Sequence, residues 1–258
     1  MKHKQTEIVS NVRIARDLYE MRFGWDPGAG APLPGQFITI RVNDGTSPLL
    51  RRPFALSGYD TAEETAAIIY KKIGKSTQIL TGKTQEDTLD WIGPLGNGFE
   101  MPAPGSIPIL AGGGTGLGPI LYFCAHLRQH NFQPVFIFGC QTREFVPRYP
   151  VFQAENPQIT TDDGSEGLAG TVIDQLKQLP DTTFSNAILY CCGPTPMLRA
   201  CHELAVEQQI PCYVSIEQVM ACGVGACMGC VVKLNTSPGL VRACKEGPVF
   251  DSRTMLWT

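Results

Sequence analysis

The sequence predicts a multidomain chain of β plus α/β class, with an antiparallel β unit first, a parallel-sheet α/β unit second and a small cysteine-rich segment last. Three observations predict it. Short alternating or β-branched apolar bursts, separated by Gly, Pro and Asp, run through residues 1–104. Apolar strand, Gly-rich turn and helical pattern then alternate through residues 105–217. Four of the 10 cysteines fall in residues 218–258, where little regular pattern remains. At 258 residues and 43% hydrophobic, the chain is long enough to bury a core and to divide into more than one unit.

In the first unit the bursts EIVSNVRIA, GQFITIRV, AAIIYKKI and DTLDWIGPL read as strands. The turn residues between them favour a small antiparallel barrel or sandwich. In the second unit IPILAGGG leads into the helical pattern PILYFCAHLRQH, PVFIFGC is followed by GTVIDQLKQL, NAILYCCGP leads into PMLRACHELAVEQQ, and CYVSIE closes the series. That alternation argues for parallel strands with helices on both faces of the sheet. The last segment has too little apolar pattern to build a core, so a metal is expected to hold it.

Composition narrows the function classes. With 21 basic and 24 acidic residues the net charge is -3, and no Lys/Arg-dense run gives the footprint of a nucleic-acid binder. The first residues lack the apolar block of a secretory signal, and no stretch approaches the roughly 18 apolar residues of a membrane span. The expected location is the cytoplasm, where thiols stay reduced. Its cysteines should then ligate metal or lie buried rather than form disulfides.

Cys222, Cys227, Cys230 and Cys244 follow the spacing C-x4-C-x2-C-x13-C. A C-x4-C-x2-C run with a distant fourth thiolate is the pattern of a plant-type [2Fe–2S] cluster. Gly223, Gly225, Ala226 and Gly229 fill the intervals, and such small residues let backbone N–H groups curl toward the cluster sulfurs. A structural zinc site is the competing reading, although zinc usually takes two close cysteine pairs rather than three ligands from one loop. Cys124, Cys140, Cys191, Cys201 and Cys212 read as small buried hydrophobes, and Cys192 stands apart because it ends a strand.

AGGGTGLGP follows the strand IPIL and opens a helix, the setting in which glycine lets backbone approach a pyrophosphate. It lacks G-x-G-x-x-G spacing and presents Gly113, Gly114, Gly116 and Pro119 as G-G-x-G-x-x-P. CGPTPM, beginning Cys192, Gly193 and Pro194, ends a later strand at the edge where open α/β sheets bind ligands. DDGSEG at 162–167 ends another. Two Gly-containing strand ends facing one crevice point to a nucleotide. GKS at 74–76 is no ATP-binding loop, because Ile69 stands where that motif requires glycine. His3, His126, His130 and His202 show no catalytic spacing.

Arg52-Pro53 in a β-rich unit, a G-G-x-G-x-x-P loop and a C-G-P strand end, in this order, resemble the ferredoxin–NADP reductase superfamily. LLRRPFAL, GKST, GPLGNGF, DDGSEGLAGTV, CGPTPM, MACGVGACMGCVV and ACKEGPVF span 49–250 and narrow the match. Together they resemble the electron transfer subunits of the NAD-dependent dihydroorotate dehydrogenase B family. The resemblance implies an FAD-binding β-barrel over 1–104, an NAD-binding α/β domain over 105–217 and a [2Fe–2S] segment over 218–258. It also implies a role in pyrimidine biosynthesis beside a partner subunit carrying FMN and the dihydroorotate site, in a heterotetramer of two chains of each kind.

By the same resemblance Arg52, Pro53, Phe54 and Ala55 form one flavin motif, Ile69, Tyr70 and Lys71 a second, and Gly74, Ser76 and Thr77 a pyrophosphate loop. Ala55 stands where the family often has Ser, so a hydroxyl contact to the flavin is looked for at Ser57. Gly113, Gly114, Gly116, Cys192, Gly193 and Pro194 are implied to receive NAD, and Cys222, Cys227, Cys230 and Cys244 the cluster. Independently, the forked guanidinium of Arg52 suits a diphosphate.

A nicotinamide passes a hydride, an iron–sulfur cluster passes one electron, and a flavin exchanges either. The implied function is therefore to pass electrons from the partner's FMN through the cluster and FAD to NAD+, with no acid–base side chain required. Two alternatives stay open. One is the small flavoprotein subunit of a sulfide dehydrogenase or of an NADH-dependent ferredoxin:NADP oxidoreductase, and the other is a non-catalytic, zinc-stapled nucleotide-binding module. The choice between NAD and NADP is also open, because Arg143 and Glu144 after the second parallel strand pull in opposite directions.

Overall fold

The computed structural model describes residues 1–257. The first unit contains β1 (Lys2–Ala15), β2 (Leu18–Gly24), β3 (Phe37–Arg41), β4 (Arg52–Asp60), β5 (Thr65–Lys71) and β6 (Thr88–Leu95). These close into a barrel of order β1-β2-β5-β4-β3-β6, settling the earlier choice between barrel and sandwich. Closure depends on β1, which pairs with β6 through Lys2 to Glu7 and with β2 from Ile8 onward. A register shift between Ile8 and Ser10 lets one strand serve two neighbours.

Two barrel strands carry none of the four apolar bursts. On β2, Met21 and Phe23 enter the core while Glu20 and Arg22 take the other face, and β4 begins at the Arg52-Pro53 motif itself. Inside the barrel Trp25 stacks on the fully buried Trp91 at 4.4 Å. Helix α1 (Lys75–Thr81) buries Leu80 in the same core. Asn11 donates to the carbonyls of Leu80 and Lys83 at 2.8 and 2.9 Å, satisfying acceptors that the helix end leaves free.

The second unit runs β7 (Ile107–Gly113), α2 (Leu117–Gln129), β8 (Val135–Cys140), α3 (Pro150–Ala154), β9 (Gln158–Thr161), β10 (Leu168–Ala169), α4 (Val172–Leu176), α5 (Asp181–Phe184), β11 (Ala187–Cys192), α6 (Thr195–Glu207) and β12 (Cys212–Ser215). The strands are parallel in the order β10-β9-β8-β7-β11-β12. The chain order therefore reverses between β7 and β11, which opens a crevice at their carboxyl ends. Both glycine motifs sit there. Helices α2 and α3 cover one face with Phe123, Phe138 and Tyr190, while α4 and α6 cover the other with Leu176, Leu198 and Leu204.

In the last segment β13 (Val231–Lys233) and β14 (Leu240–Arg242) form an antiparallel hairpin. Strand β15 (Val249–Asp251) then joins β12 antiparallel as the seventh strand of the large sheet. The expectation that a metal alone would hold this segment is corrected. Cys230, Val232, Val241, Ala243, Cys244, Phe250 and Met255 are buried in one apolar cluster that also takes in Leu189 and Val214 of the sheet and Phe37 and Leu95 of the barrel. The sequence hid this because the anchoring residues are spaced singly through short strands and find their partners in distant parts of the chain. Among the described residues no helix is long and apolar enough to cross a membrane.

Candidate functional site

Three cavities open between the barrel and the parallel sheet, and Thr115 lines all of them. The first, of about 470 Å³, is walled by Arg52, Pro53, Phe54 and Ala55 of β4, Ile69, Tyr70 and Lys71 of β5, and Gly74, Ser76 and Thr77 at the start of α1. Every residue read into the flavin motifs is on this wall except Ser57. That residue is corrected: it lies farther along the outer face of β4, where α2 packs over the strand. A Cβ placed on Gly118 of α2 would lie 3.4 Å from that of Ser57, whose hydroxyl is buried without a partner. Pro48, Ile73, Lys75, Thr115 and Glu217 complete the wall.

The polar groups of this cavity are unevenly available. Arg51 is spent on Asp90 at 2.7 Å, whereas Arg52 uses one nitrogen on the Leu50 and Arg51 carbonyls and keeps the rest of its fork free. Thr77 accepts from the N–H groups of Ile73 and Gly74, so its hydroxyl ties the start of α1 to itself. Tyr70 donates to Asn11 at 2.8 Å and stacks on Tyr19. What remains, Arg52, Ser76 and loop N–H groups beside apolar β4 and β5 side chains, suits a diphosphate joined to a flat ring system.

The second cavity, of about 350 Å³, lies over the crevice between β7 and β11. Its wall includes Gly113, Gly114, Thr115, Gly139, Thr160, Asp162, Pro194 and Met197, with Lys71 shared with the first cavity. Gly116 and Gly193 are not on that wall. A Cβ on Gly116 would fall 2.1 Å from the Cys192 carbonyl oxygen, and one on Gly193 would fall 3.0 Å from Met197 and 3.3 Å from the Gly113 Cα. These two glycines serve the close approach of the strand ends to each other. Asp162 is the acidic residue exposed to this cavity, a position that sequence reasoning had left to Arg143 and Glu144, neither of which lines it.

The third cavity, of about 560 Å³, joins the first to the C-terminal segment and is lined by Phe37, Pro53, Ala55, Thr115, Cys192, Ser215, Glu217, Met220 and Pro248. Cys192, at the end of β11, faces this cavity, as Cys140, at the end of β8, faces the second. Burial, and then the Glu217 carboxylate, push the pKa of Cys192 up to about 12, so it presents a neutral thiol. Thr115 donates weakly to Glu217 at 3.5 Å. Thr115 occupies the first unspecified position of the G-G-x-G-x-x-P loop.

The four cysteines come together as two pairs. Cys222 neighbours Cys227 and Cys244 neighbours Cys230, while among the described residues no three metal-binding side chains converge on one point. Backbone N–H groups point at them: Gly225 donates to Cys244 at 3.1 Å, Cys227 to Cys222 at 3.4 Å and Gly229 to Cys227 at 3.4 Å. Burial opposes ionisation of Cys222, but the N–H groups of Val224 and Cys227 outweigh it and bring its pKa down to about 6. Burial, and then the Cys230 sulfur, push Cys244 up to about 12. Two thiol pairs ringed by N–H donors fit a two-iron cluster, in which each iron takes two protein sulfurs. Arg242 holds the loop by donating to the Gly225 carbonyl at 2.7 Å and pairing with Glu246.

The cluster loop touches the barrel directly. A Cβ on Gly223, at φ +68°, would fall 2.6 Å from Thr39 of β3, and Thr39 pairs in register with Pro53 of the first cavity. One strand separates the thiols from that cavity.

Comparison with known proteins agrees with this layout. The model of the iron–sulfur cluster binding domain of dihydroorotate dehydrogenase B matches residues 217–256. The electron transfer subunit of dihydroorotate dehydrogenase B (NAD(+)) from Desulforamulus reducens is 34% identical over 256 residues, covering 97% of each chain. That from Geobacillus thermodenitrificans is 38% identical over 247 residues, covering 94% of each. The chain belongs to the dihydroorotate dehydrogenase B electron transfer subunit family.

Solved structures extend the likeness of this family member. A chain of the NADH-dependent reduced ferredoxin–NADP oxidoreductase superposes with a TM-score of 0.84 at 28% identity, covering 98% of this chain and 90% of that one. Phthalate dioxygenase reductase superposes with a TM-score of 0.63 at 18% identity, covering 91% and 87%, and shares the fold. The electron transfer subunit is accordingly an oxidoreductase subunit with a ferredoxin reductase-like barrel and α/β sheet.

Proposed function

We propose that this subunit passes reducing equivalents between an FMN-bearing dihydroorotate dehydrogenase subunit and NAD+, in the cytoplasm, within a heterotetramer. The carrying observation is the junction at Thr115, where the cavity of the flavin motifs, the crevice cavity and the cavity leading to the thiol pairs share one wall residue. In this reading residues 1–104 hold FAD, 105–217 receive NAD and 218–258 hold the [2Fe–2S] cluster. When bound, FAD supplies the conversion between hydride and single-electron transfer.

The protein's own residues then have distinct parts. Arg52 and Ser76 anchor the diphosphate of the flavin nucleotide, while Pro53, Ala55 and Tyr70 form the apolar bed for its rings. Gly113, Gly114 and Pro194 let the dinucleotide backbone approach β7 and β11, and the neutral Cys192 thiol borders the nicotinamide end without competing as a nucleophile. Cys227 is exposed, and Val219 at 85% and Met228 at 51% exposure add apolar surface to the same segment. That surface supports docking of the catalytic subunit beside the cluster.

The likeness to the NADH-dependent reduced ferredoxin–NADP oxidoreductase chain favours a second reading, a flavoprotein subunit serving ferredoxin and NADP. Isolation of the native complex separates the two. Dihydroorotate-dependent reduction of NAD+ by a complex with an FMN-containing subunit is expected. A complex lacking that activity and instead reducing NADP+ with NADH and reduced ferredoxin would replace the first reading with the second.

A further inference from the structure

We propose that a fourth cavity, sharing no wall residue with the three above, binds a small amino-acid-type zwitterion. It lies on the outer face of the barrel, between β2, β4 and β5 and the covering helix α2, with a volume of about 150 Å³. A water takes about 30 Å³ in the liquid, so the space admits a molecule of only a few heavy atoms.

Its charges are opposite and unspent. Glu20 is 7% exposed and its carboxylate accepts no hydrogen bond among the described residues. Arg22 makes one weak contact, 3.5 Å to Thr65. The two stand two apart on β2, hence on one face and about 7 Å from each other along the strand, and form no ion pair. Two hydroxyls complete the setting. Ser57 lines the cavity at 5% exposure with no partner among the described residues, and the buried Tyr149 hydroxyl, off the wall but near Glu20 and Arg22, likewise has none among them.

The other ionisable groups on the wall are accounted for. Asp60 accepts from the N–H groups of Ala62 and Glu63, and burial favours the neutral form of His126. A simple cation would answer Glu20 and leave Arg22 beside it, and a simple anion would do the reverse. One molecule carrying both charges satisfies both, presenting its carboxylate to Arg22 and its ammonium to Glu20 and the Ser57 hydroxyl, and avoids burying net charge. Bound there, it would stiffen the seam between the barrel and α2, the helix that begins at the Gly-rich loop.

Calorimetric titration of the protein loaded with FAD and cluster tests this, using glycine and β-alanine as probes and acetate and methylammonium as single-charge controls at matched ionic strength. Saturable binding of at least one zwitterion is expected, at least tenfold weaker in Arg22→Met and in Glu20→Gln, with flavin content unchanged. Ser57→Ala, a smaller change, should weaken it measurably should either charge variant fail to fold. No saturable zwitterion binding, equal binding of acetate or methylammonium, or undiminished binding in the variants would overturn the proposal. None of these readouts depends on dihydroorotate turnover, so the proposed function stands or falls separately.

Discussion

At Cys227 the chemistry of the cluster can be separated from that of the flavin. Its thiol is the exposed member of the Cys222–Cys227 pair and accepts from Gly229, and it contributes nothing to the first two cavities. Cys227→Ser should remove the iron and the broad visible absorbance of the cluster while leaving the flavin bands and NADH-to-dye activity in place. Retained iron with undiminished partner-coupled turnover would contradict the assignment. A colourless preparation with one zinc per chain would restore the zinc reading. Gly116 makes a different residue-scale point. A methyl there meets the backbone of Cys192 and Gly193 at 2.1 to 2.6 Å, and backbone cannot swing aside as a flexible side chain can. Gly116→Ala should cost about 1–3 kcal/mol, as overpacking does, and raise KM for NADH by spreading the two strand ends. An unchanged Tm and KM would refute that role.

Among elements, β2 carries a testable conflict between burial and charge. Burial raises the pKa of Glu20 above the usual carboxylate value, with Arg22 opposing. The folded chain therefore keeps this proton to a higher pH than the unfolded chain does. Stability from this group is fullest in acid and declines as pH rises from the ordinary carboxyl value, 4.5, through the folded value. Glu20→Gln removes the decline, so in buffer free of amino acids the Tm of the variant relative to the parent should climb as pH rises from 4.5. A flat or falling difference would show the carboxylate to be stabilised in place. This strand was illegible in the sequence for the same reason. Its outward positions hold charged residues that α2 and α3 then cover, so its alternation looks like a solvated edge.

For the molecule as a whole, the C-terminal segment is the informative part. Its cluster loop, 222–230, is held by thiols and a few hydrogen bonds, whereas Phe250 and Met255 are buried and β15 is paired to β12. Iron chelation should therefore expose the loop to protease while hydrogen exchange at 249–251 stays slow, because the strand keeps its sheet partner without metal. Loss of protection across all of 218–257 on chelation would mean that the metal, after all, organises the entire segment.

The sequence by itself determined the motifs whose chemistry is local. The cysteine spacing, the Gly-rich strand ends and the Arg52-Pro53 segment each carry their meaning within a few residues, and period-two and helical patterning exposed the order of the two large units. Tertiary structure decided what depends on partners far along the chain. It placed Ser57 under α2 and away from the flavin cavity, turned Gly116 and Gly193 into packing glycines, brought Thr115 to the meeting point of three cavities, and sent β15 back to the large sheet. Burial and contact are properties of pairs, and a chain read one residue at a time shows only one member of each.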